Sequence, residues 1–321
     1  MIVDKMGRQF RNLRVSLTSA CNFACTYCVP NGKRLIKAKD ELGADQLHRA
    51  VQLLQLATGI DRLRITGGEP LVAAKFDSFL LKIMELGLKD VSLTTNAQLL
   101  KQKIPVIKRS GLKRINISLD TLHPLKFKQI ARGGDLNTVL SGIEAVLDLG
   151  LQVKINMVPL ATANGDQILP LLNYCLDRGI ELRYIELMRM GHVARDGSFA
   201  QDFISMASLL DQISQQYEFI RIDAPLDSTA IRYEIPNRGR FGIIANESQP
   251  FCSACTRLRL AADGRLYGCL SNAAHQSILP VLHQPNHIAL PRLQRMLMDA
   301  LGHKQSHVFT GGTTVMKMIG G

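Results

Sequence analysis

Seven cysteines, Cys21, Cys25, Cys28, Cys175, Cys252, Cys255 and Cys269, carry the first chemical signal in this 321-residue chain. Six of them form two triplets: C-x3-C-x2-C at Cys21, Cys25 and Cys28, and C-x2-C-x13-C at Cys252, Cys255 and Cys269. An odd count, with no secretory leader pattern in the opening residues, points away from a disulfide framework and towards metal binding or catalysis. Three thiolates hold three irons of a four-iron cubane and leave one iron open to a further ligand. Structural zinc asks for four ligands, and no histidine lies near the first triplet. At the second triplet, zinc completed by His275 is the alternative. Cys175 stands alone on an expected helix and reads as a core residue.

Other residues extend the pattern. In Gly67-Gly68-Glu69-Pro70 the paired glycines let backbone approach a ligand closely, and Glu69 can accept from an ammonium group. Alone, this tetrapeptide reads as a turn. A strand period of two puts Cys255, Arg257 and Arg259 on one face, which sets two guanidinium groups beside the second triplet. Asp263-Gly264 between alternating residues predicts a hairpin that returns Cys269 towards Cys252 and Cys255.

The elements that must position these groups follow from periodicity. Strands are expected at 13–18, 62–66, 90–95, 113–119, 152–158 and 181–187, with amphipathic helices at 45–57, 76–86, 101–110, 136–149 and 166–178. Gly87, Gly111, Gly150 and Gly179 fit helix C-caps. This strand–helix alternation predicts an α/β fold, an incomplete (βα)6 TIM-type barrel over residues 1–225, with a C-terminal extension at 226–321 that carries the second triplet. Fully buried parallel strands read as continuous apolar runs, yet these alternate. Arg14, Ser16 and Thr18 interleave with apolar residues, as do Arg62, Arg64 and Thr66; Ser92 and Thr94; Asn116, Ser118 and Asp120; and Lys154 and Asn156. One face is therefore polar and partly cationic. An unpaired buried polar group costs about 1–3 kcal/mol, so this face should surround a lumen holding a charged ligand. A one-sided antiparallel sheet with a wet face is the alternative, disfavoured by the helical connections. In (βα) barrels the active site lies at the C-terminal ends of the strands, and both the first triplet and Gly67–Pro70 fall there.

The balance of 39 basic against 27 acidic residues, a net charge of +12, suits an anionic partner. There is no basic tail and no aromatic-interleaved basic run, so nucleic acid is not expected. No apolar run approaches the ~18 residues of a membrane helix, so the expected compartment is the cytoplasm.

Two motifs together carry a resemblance. Cys-Asn-Phe-Ala-Cys-Thr-Tyr-Cys at the end of strand one, with Gly-Gly-Glu-Pro at the end of strand two, resembles the radical S-adenosylmethionine superfamily. The resemblance implies a 4Fe–4S cluster on Cys21, Cys25 and Cys28, whose open iron is chelated by S-adenosylmethionine and whose electron releases a 5′-deoxyadenosyl radical. It also implies contacts to S-adenosylmethionine from Tyr27, Gly68, Glu69, Ser118, Arg183 and Met188. The second triplet, Thr94-Thr95-Asn96, Asn116–Asp120, Cys-Thr-Arg-Leu-Arg and the terminal Gly320-Gly321 narrow the resemblance to the GTP 3′,8-cyclase family of molybdenum cofactor biosynthesis. This implies a second 4Fe–4S cluster on Cys252, Cys255 and Cys269 that binds guanine. It further implies GTP held by Arg14, Arg62, Arg64, Thr94, Lys154, Arg257 and Arg259, with the two last acting in catalysis, and a Gly-Gly tail that enters the site. In the implied reaction a hydrogen leaves C3′ of the ribose, the carbon radical attacks C8, and reduction gives 3′,8-cyclo-7,8-dihydroguanosine 5′-triphosphate. A flavodoxin- or ferredoxin-type electron donor and a homodimer belong to the same resemblance. The chain departs from the family pattern at Ser19-Ala20, Ala24, Val29, Ala73-Ala74-Lys75 and Ala97, none of them a cluster ligand.

Two other readings compete. A related radical enzyme with an auxiliary cluster could act on a peptide, but only Cys175 is left over, and a basic lumen suits a nucleotide better. A non-enzymatic metal module binding nucleic acid needs a contiguous basic surface and leaves Gly67–Pro70 without a role.

Overall fold

The computed structural model describes residues 2–30, 38–225, 227–305 and 309. The expected strands form as β1 (Asn12–Ser16), β2 (Arg62–Thr66), β3 (Asp90–Thr95), β4 (Arg114–Ser118), β5 (Gln152–Met157) and β6 (Glu181–Ile185). The helices α1 (Ala44–Thr58), α2 (Phe76–Met84), α3 (Leu100–Ser110), α4 (Pro124–Ala131), α5 (Leu136–Leu147) and α6 (Ile168–Asp177) lie between them. Gly87, Gly111, Gly150 and Gly179 all take positive φ, as left-handed helix ends require. The short α4, opened by Pro124 at its first turn, is an element the periodicity did not reveal.

Later residues complete the sheet. They supply β7 (Ile220–Ile222), β8 (Ile231–Ile235), β9 (Gly239–Ile244), β10 (Arg257–Leu260), β11 (Arg265–Tyr267) and β12 (Gln276–Ser277). The strand order is β12-β11-β10-β1-β2-β3-β4-β5-β6-β9-β8-β7. β10 runs parallel beside β1 and β9 parallel beside β6, so parallel pairing continues beyond the first six strands at both edges. The boundary expected at residues 225 and 226 lies between β7 and β8, which pair with each other. The hairpin at Asp263-Gly264 forms, with β10 antiparallel to β11 and Gly264 at φ +84°.

The alternation resolves into two faces. Leu13, Val15, Leu63, Ile65, Leu93, Ile115, Ile117, Ile155 and Leu182 are buried in one core. That core includes the inner faces of α1, α3, α5 and α6, among them Leu47, Leu54, Ile107, Val139, Ile143 and Leu172. The polar face turns inward, and the sheet curls far enough for Arg257 of β10 and Arg232 of β8 to line one cavity. Cys175 is fully buried on α6, in agreement with a core role. No helix among the described residues is long and apolar enough to cross a membrane.

Candidate active site

The lumen carries a cavity at each end of the parallel strands. At the C-terminal ends, Cys21, Cys25, Cys28, Tyr27, Gly68, Glu69, Thr94, Ser118 and Met188 line one cavity. The backbone explains how the cysteine loop is set. Gly68 donates its N–H to Thr18 O at 2.7 Å, and Glu69 donates to Ala20 O at 2.8 Å. A Cβ on Gly68 would stand 2.3 Å from Ala20 O, so only glycine lets β2 press against the chain leading into Cys21. Glu69 is buried and receives hydrogen bonds from Leu71 N (3.0 Å), Thr95 Oγ1 (2.7 Å) and Asn96 N (2.7 Å). Burial outweighs those donors and raises its carboxyl to about 7. Tyr27 donates to Asp120 at 2.8 Å, and burial raises Asp120 to about 6.

The first-triplet thiols sense one another; burial raises Cys21 to about 12 and also raises Cys25 well above the ordinary thiol value, with Glu69 adding at Cys21 and Asp120 at Cys25. Two features here escaped the sequence reading. Glu41 accepts from Thr18 Oγ1 (2.9 Å) and Ser19 N (2.8 Å) and so pins the entry to Cys21. Asn96 donates to Asn22 at 2.7 Å across the same loop. Glu41 had no periodic or motif signal, and Asn96, though part of the Thr94-Thr95-Asn96 motif, gave none for this contact, because each contact joins segments distant in sequence.

At the N-terminal ends, Arg14, Arg62, Arg64, Lys154, Arg183 and Arg257 line a cavity of about 530 Å³ together with Arg114 and Arg232. Pairing register brings them into rows: Arg14 lies opposite Arg64 and Arg259, Asn12 opposite Arg62 and Arg257. Burial lowers Arg64 to about 9 and Arg259 to about 10, with neighbouring arginines adding to the shift. Arg14, beside Arg259, Arg64 and Arg257, is also lowered well below the ordinary guanidinium value, burial again leading. Carboxylates are few among these cations. Glu181 holds Lys154 at 2.8 Å and also pairs with Arg232, Asp227 meets Arg62 at 3.1 Å, and Asp90 meets Arg114 at 2.5 Å. Arg183 belongs to this basic cavity, where its Nη2 donates to Asn116 at 2.6 Å, while Thr94 faces the thiol cavity. The sequence reading had grouped each with the other set. β-strand alternation gives the face but not the depth along the lumen.

The second triplet borders this basic end. Its thiols also sense one another, yet Cys255 is held at about 5: burial alone would raise it, but Arg257 and Lys304 overcome that. Cys269 is lowered too, against burial, by hydrogen bonds from Ser271 and the Gln305 backbone. His275 instead donates from Nδ1 to Ala273 O, 3.0 Å away, and packs near Tyr267. Among the described residues, no three His, Cys, Asp or Glu side chains close on a single ion. A cubane asks each thiol for a different iron and does not need such convergence. Buried polar atoms also await partners along the lumen: Arg64 Nε, Thr94 Oγ1, Asn156 Oδ1 and Arg183 Nε have none. Unpartnered buried polar atoms, a close-approach glycine and two thiol sets therefore fit a cofactor at one end and a polyanion at the other. The terminal Gly320-Gly321 lies outside the described residues.

Comparison with known proteins agrees with this geometry. Residues 15–175 match the radical SAM superfamily and residues 180–310 match Molybdenum Cofactor Synthesis C. A solved structure of Streptococcus suis SuiB bound to precursor peptide SuiA superposes with a TM-score of 0.62 over 89% of this chain and 67% of that one, at 16% identity. The fold and cysteine loop thus define a radical S-adenosylmethionine enzyme, a class that uses that cofactor with a 4Fe–4S cluster. Curated proteins named GTP 3′,8-cyclase are similar over most of their length. That of Helicobacter pylori is 38% identical over 84% of this chain and 83% of its own. That of Listeria welshimeri is 34% identical over 95% and 91%. The chain belongs to the GTP 3′,8-cyclase family.

Proposed function

We infer that this enzyme converts GTP to 3′,8-cyclo-7,8-dihydroguanosine 5′-triphosphate, the first step of molybdenum cofactor biosynthesis. The observation that carries the reading is the cationic end of the lumen: arginines forced together without enough carboxylates, several of their donor atoms unpartnered. A triphosphate of about four negative charges relieves that repulsion and satisfies forked guanidinium donors. Arg14, Arg62, Arg64, Lys154, Arg257 and Arg259 are the residues we assign to it, with Thr94 closer to the ribose. Cys252, Cys255 and Cys269 are read as holding a second 4Fe–4S cluster, for which guanine is the ligand.

At the other end, Cys21, Cys25 and Cys28 are assigned to the first cluster. When bound, that cluster and S-adenosylmethionine supply the radical that removes a ribose hydrogen. The chain's own work is placement. Tyr27, Gly68, Glu69, Ser118 and Met188 are read as cofactor contacts, and the apolar residues Val29, Val158 and Leu187 keep water from that cavity. Arg183, which the family resemblance groups with the cofactor, is read instead as part of the basic end, beside Asn116. On this reading residues 1–225 carry the partial barrel with the first cluster, and 226–321 carry the second thiol set and the Gly-Gly tail. A flavodoxin- or ferredoxin-type donor, a cytoplasmic setting and a homodimer complete the proposal.

The test is an anaerobic assay of iron- and sulfide-reconstituted protein with S-adenosylmethionine, dithionite and GTP. Formation of 5′-deoxyadenosine together with an isomer of GTP that acid converts to a pterin supports the reading. If 5′-deoxyadenosine forms while GTP survives, the substrate assignment fails.

A further inference from the structure

Lys304 follows the C-terminal helix Asn286–Gly302 and had no signal in the sequence. Its ammonium donates to Cys255 Sγ at 3.2 Å, to Arg257 O at 3.0 Å and to Gly268 O at 2.8 Å. All three protons of the ammonium are thereby used. Phe10, fully buried, covers the same group at 5.4 Å. The next residue continues the pattern, because the Gln305 backbone N–H bonds the Cys269 thiol. Arg8 closes the ring. It donates to Gln305 O at 2.8 Å and to Cys252 O at 2.7 Å, and Asp4 fixes it at 2.6 Å. Residues 304 and 305 therefore touch two of the three cysteine sulfurs, and Arg8 ties the third cysteine's backbone to them.

We propose that Lys304 is a positioning residue of the second triplet, which holds the Cys255 sulfur and both ends of the hairpin in register and stabilises negative charge on that sulfur. The proposal rests on the reading of Cys252, Cys255 and Cys269 as a second cluster site. At Cys21 of the first triplet the described contacts to Sγ are from neutral groups, the Phe23 backbone at 3.4 Å and the Asn96 amide at 4.0 Å. A cationic donor to one ligand sulfur favours the more reduced, more negative state of a cluster, so it raises that cluster's reduction potential. The first cluster then serves as an internal reference within the same molecule.

The experiment is an anaerobic redox titration, followed by electron paramagnetic resonance, of reconstituted wild type, Lys304→Met and Lys304→Arg, with iron counted in each. Methionine keeps the aliphatic stem under Phe10 and removes charge and donor together. The expected result is a lower potential for the second cluster in Lys304→Met, an unmoved first cluster, and recovery towards wild type in Lys304→Arg. A Lys304→Met protein with full iron and both potentials unchanged overturns the proposal. Should Lys304→Met take up only the first cluster, Lys304→Arg decides: restored iron supports the role, and iron still missing overturns it. A wild-type chain that itself holds only about four irons defeats the second-cluster reading, which is a different failure.

Discussion

The two cysteine triplets differ more in surroundings than in spacing. The first sits at the C-terminal ends of the strands among buried carboxyls, Glu69 and Asp120, with the Cys21 and Cys25 thiols pushed upward. The second sits at the opposite end, where Arg257 and Lys304 hold Cys255 low. The difference tracks the charge of the proposed ligands. S-adenosylmethionine brings a sulfonium and an ammonium group, so it is served by carboxylates. GTP brings phosphates, so it is served by guanidinium groups. One lumen thus carries buried carboxyls at one end and clustered guanidinium groups at the other, which would steer ligands of opposite charge to opposite ends.

The most direct way to break this comparison is to remove one ligand from each triplet. Cys25→Ser should abolish 5′-deoxyadenosine formation altogether. Cys255→Ser should abolish GTP conversion yet leave S-adenosylmethionine cleavage measurable by chromatography. Equal loss of both products in the two variants would end the division of labour.

Arg14→Ala combined with Arg64→Ala comes next. Each lost charged hydrogen bond is worth about 1.5–3 kcal/mol, so GTP affinity by calorimetry should fall roughly tenfold to a hundredfold per arginine. S-adenosylmethionine affinity should stay within a few-fold, and a parallel fall would mean that the arginines support the whole lumen.

Each triplet also has a glycine with no room for a side chain. A Cβ on Gly68 meets Ala20 O at 2.3 Å, and one on Gly268 meets Ala300 O at 2.2 Å. Overpacking of this kind costs about 1–3 kcal/mol. Gly68→Ala should weaken S-adenosylmethionine binding, whereas Gly268→Ala should weaken GTP binding, both read with a thermal melt as a check on folding. A reversed pattern would contradict the assignment of ends.

The smallest effect is a pH dependence in the iron-free chain. Cys255 is depressed, so its thiolate adds stability above the unfolded thiol's pKa, and that contribution is lost as pH falls through about 5. Cys21 is raised, so its neutral thiol adds stability below the unfolded pKa, lost as pH rises towards about 12. At pH 7, mass spectrometry after iodoacetamide treatment should therefore find Cys255 alkylated well before Cys21. Equal rates would show that the fields at the two ends do not differ.

Much of this was legible without coordinates. Thiol spacing, the glycine pair and the polar alternation of the strands are local facts, because a strand's period of two and a helix's 3.6 write their faces directly into the sequence. They determined the barrel-type fold, the two thiol sets and a cationic lumen, whose basic cavity is lined by Arg14, Arg64, Lys154 and Arg257 among others. What only the tertiary structure decided is where those groups meet. β9 and β10 join opposite edges of the sheet, Arg183 lies with the basic end, and Glu41, Arg8 and Lys304 brace loops far from them in sequence. No local pattern encodes such contacts, since each depends on strand order and on how far the sheet curls, and both are settled by the packing of the chain as a whole.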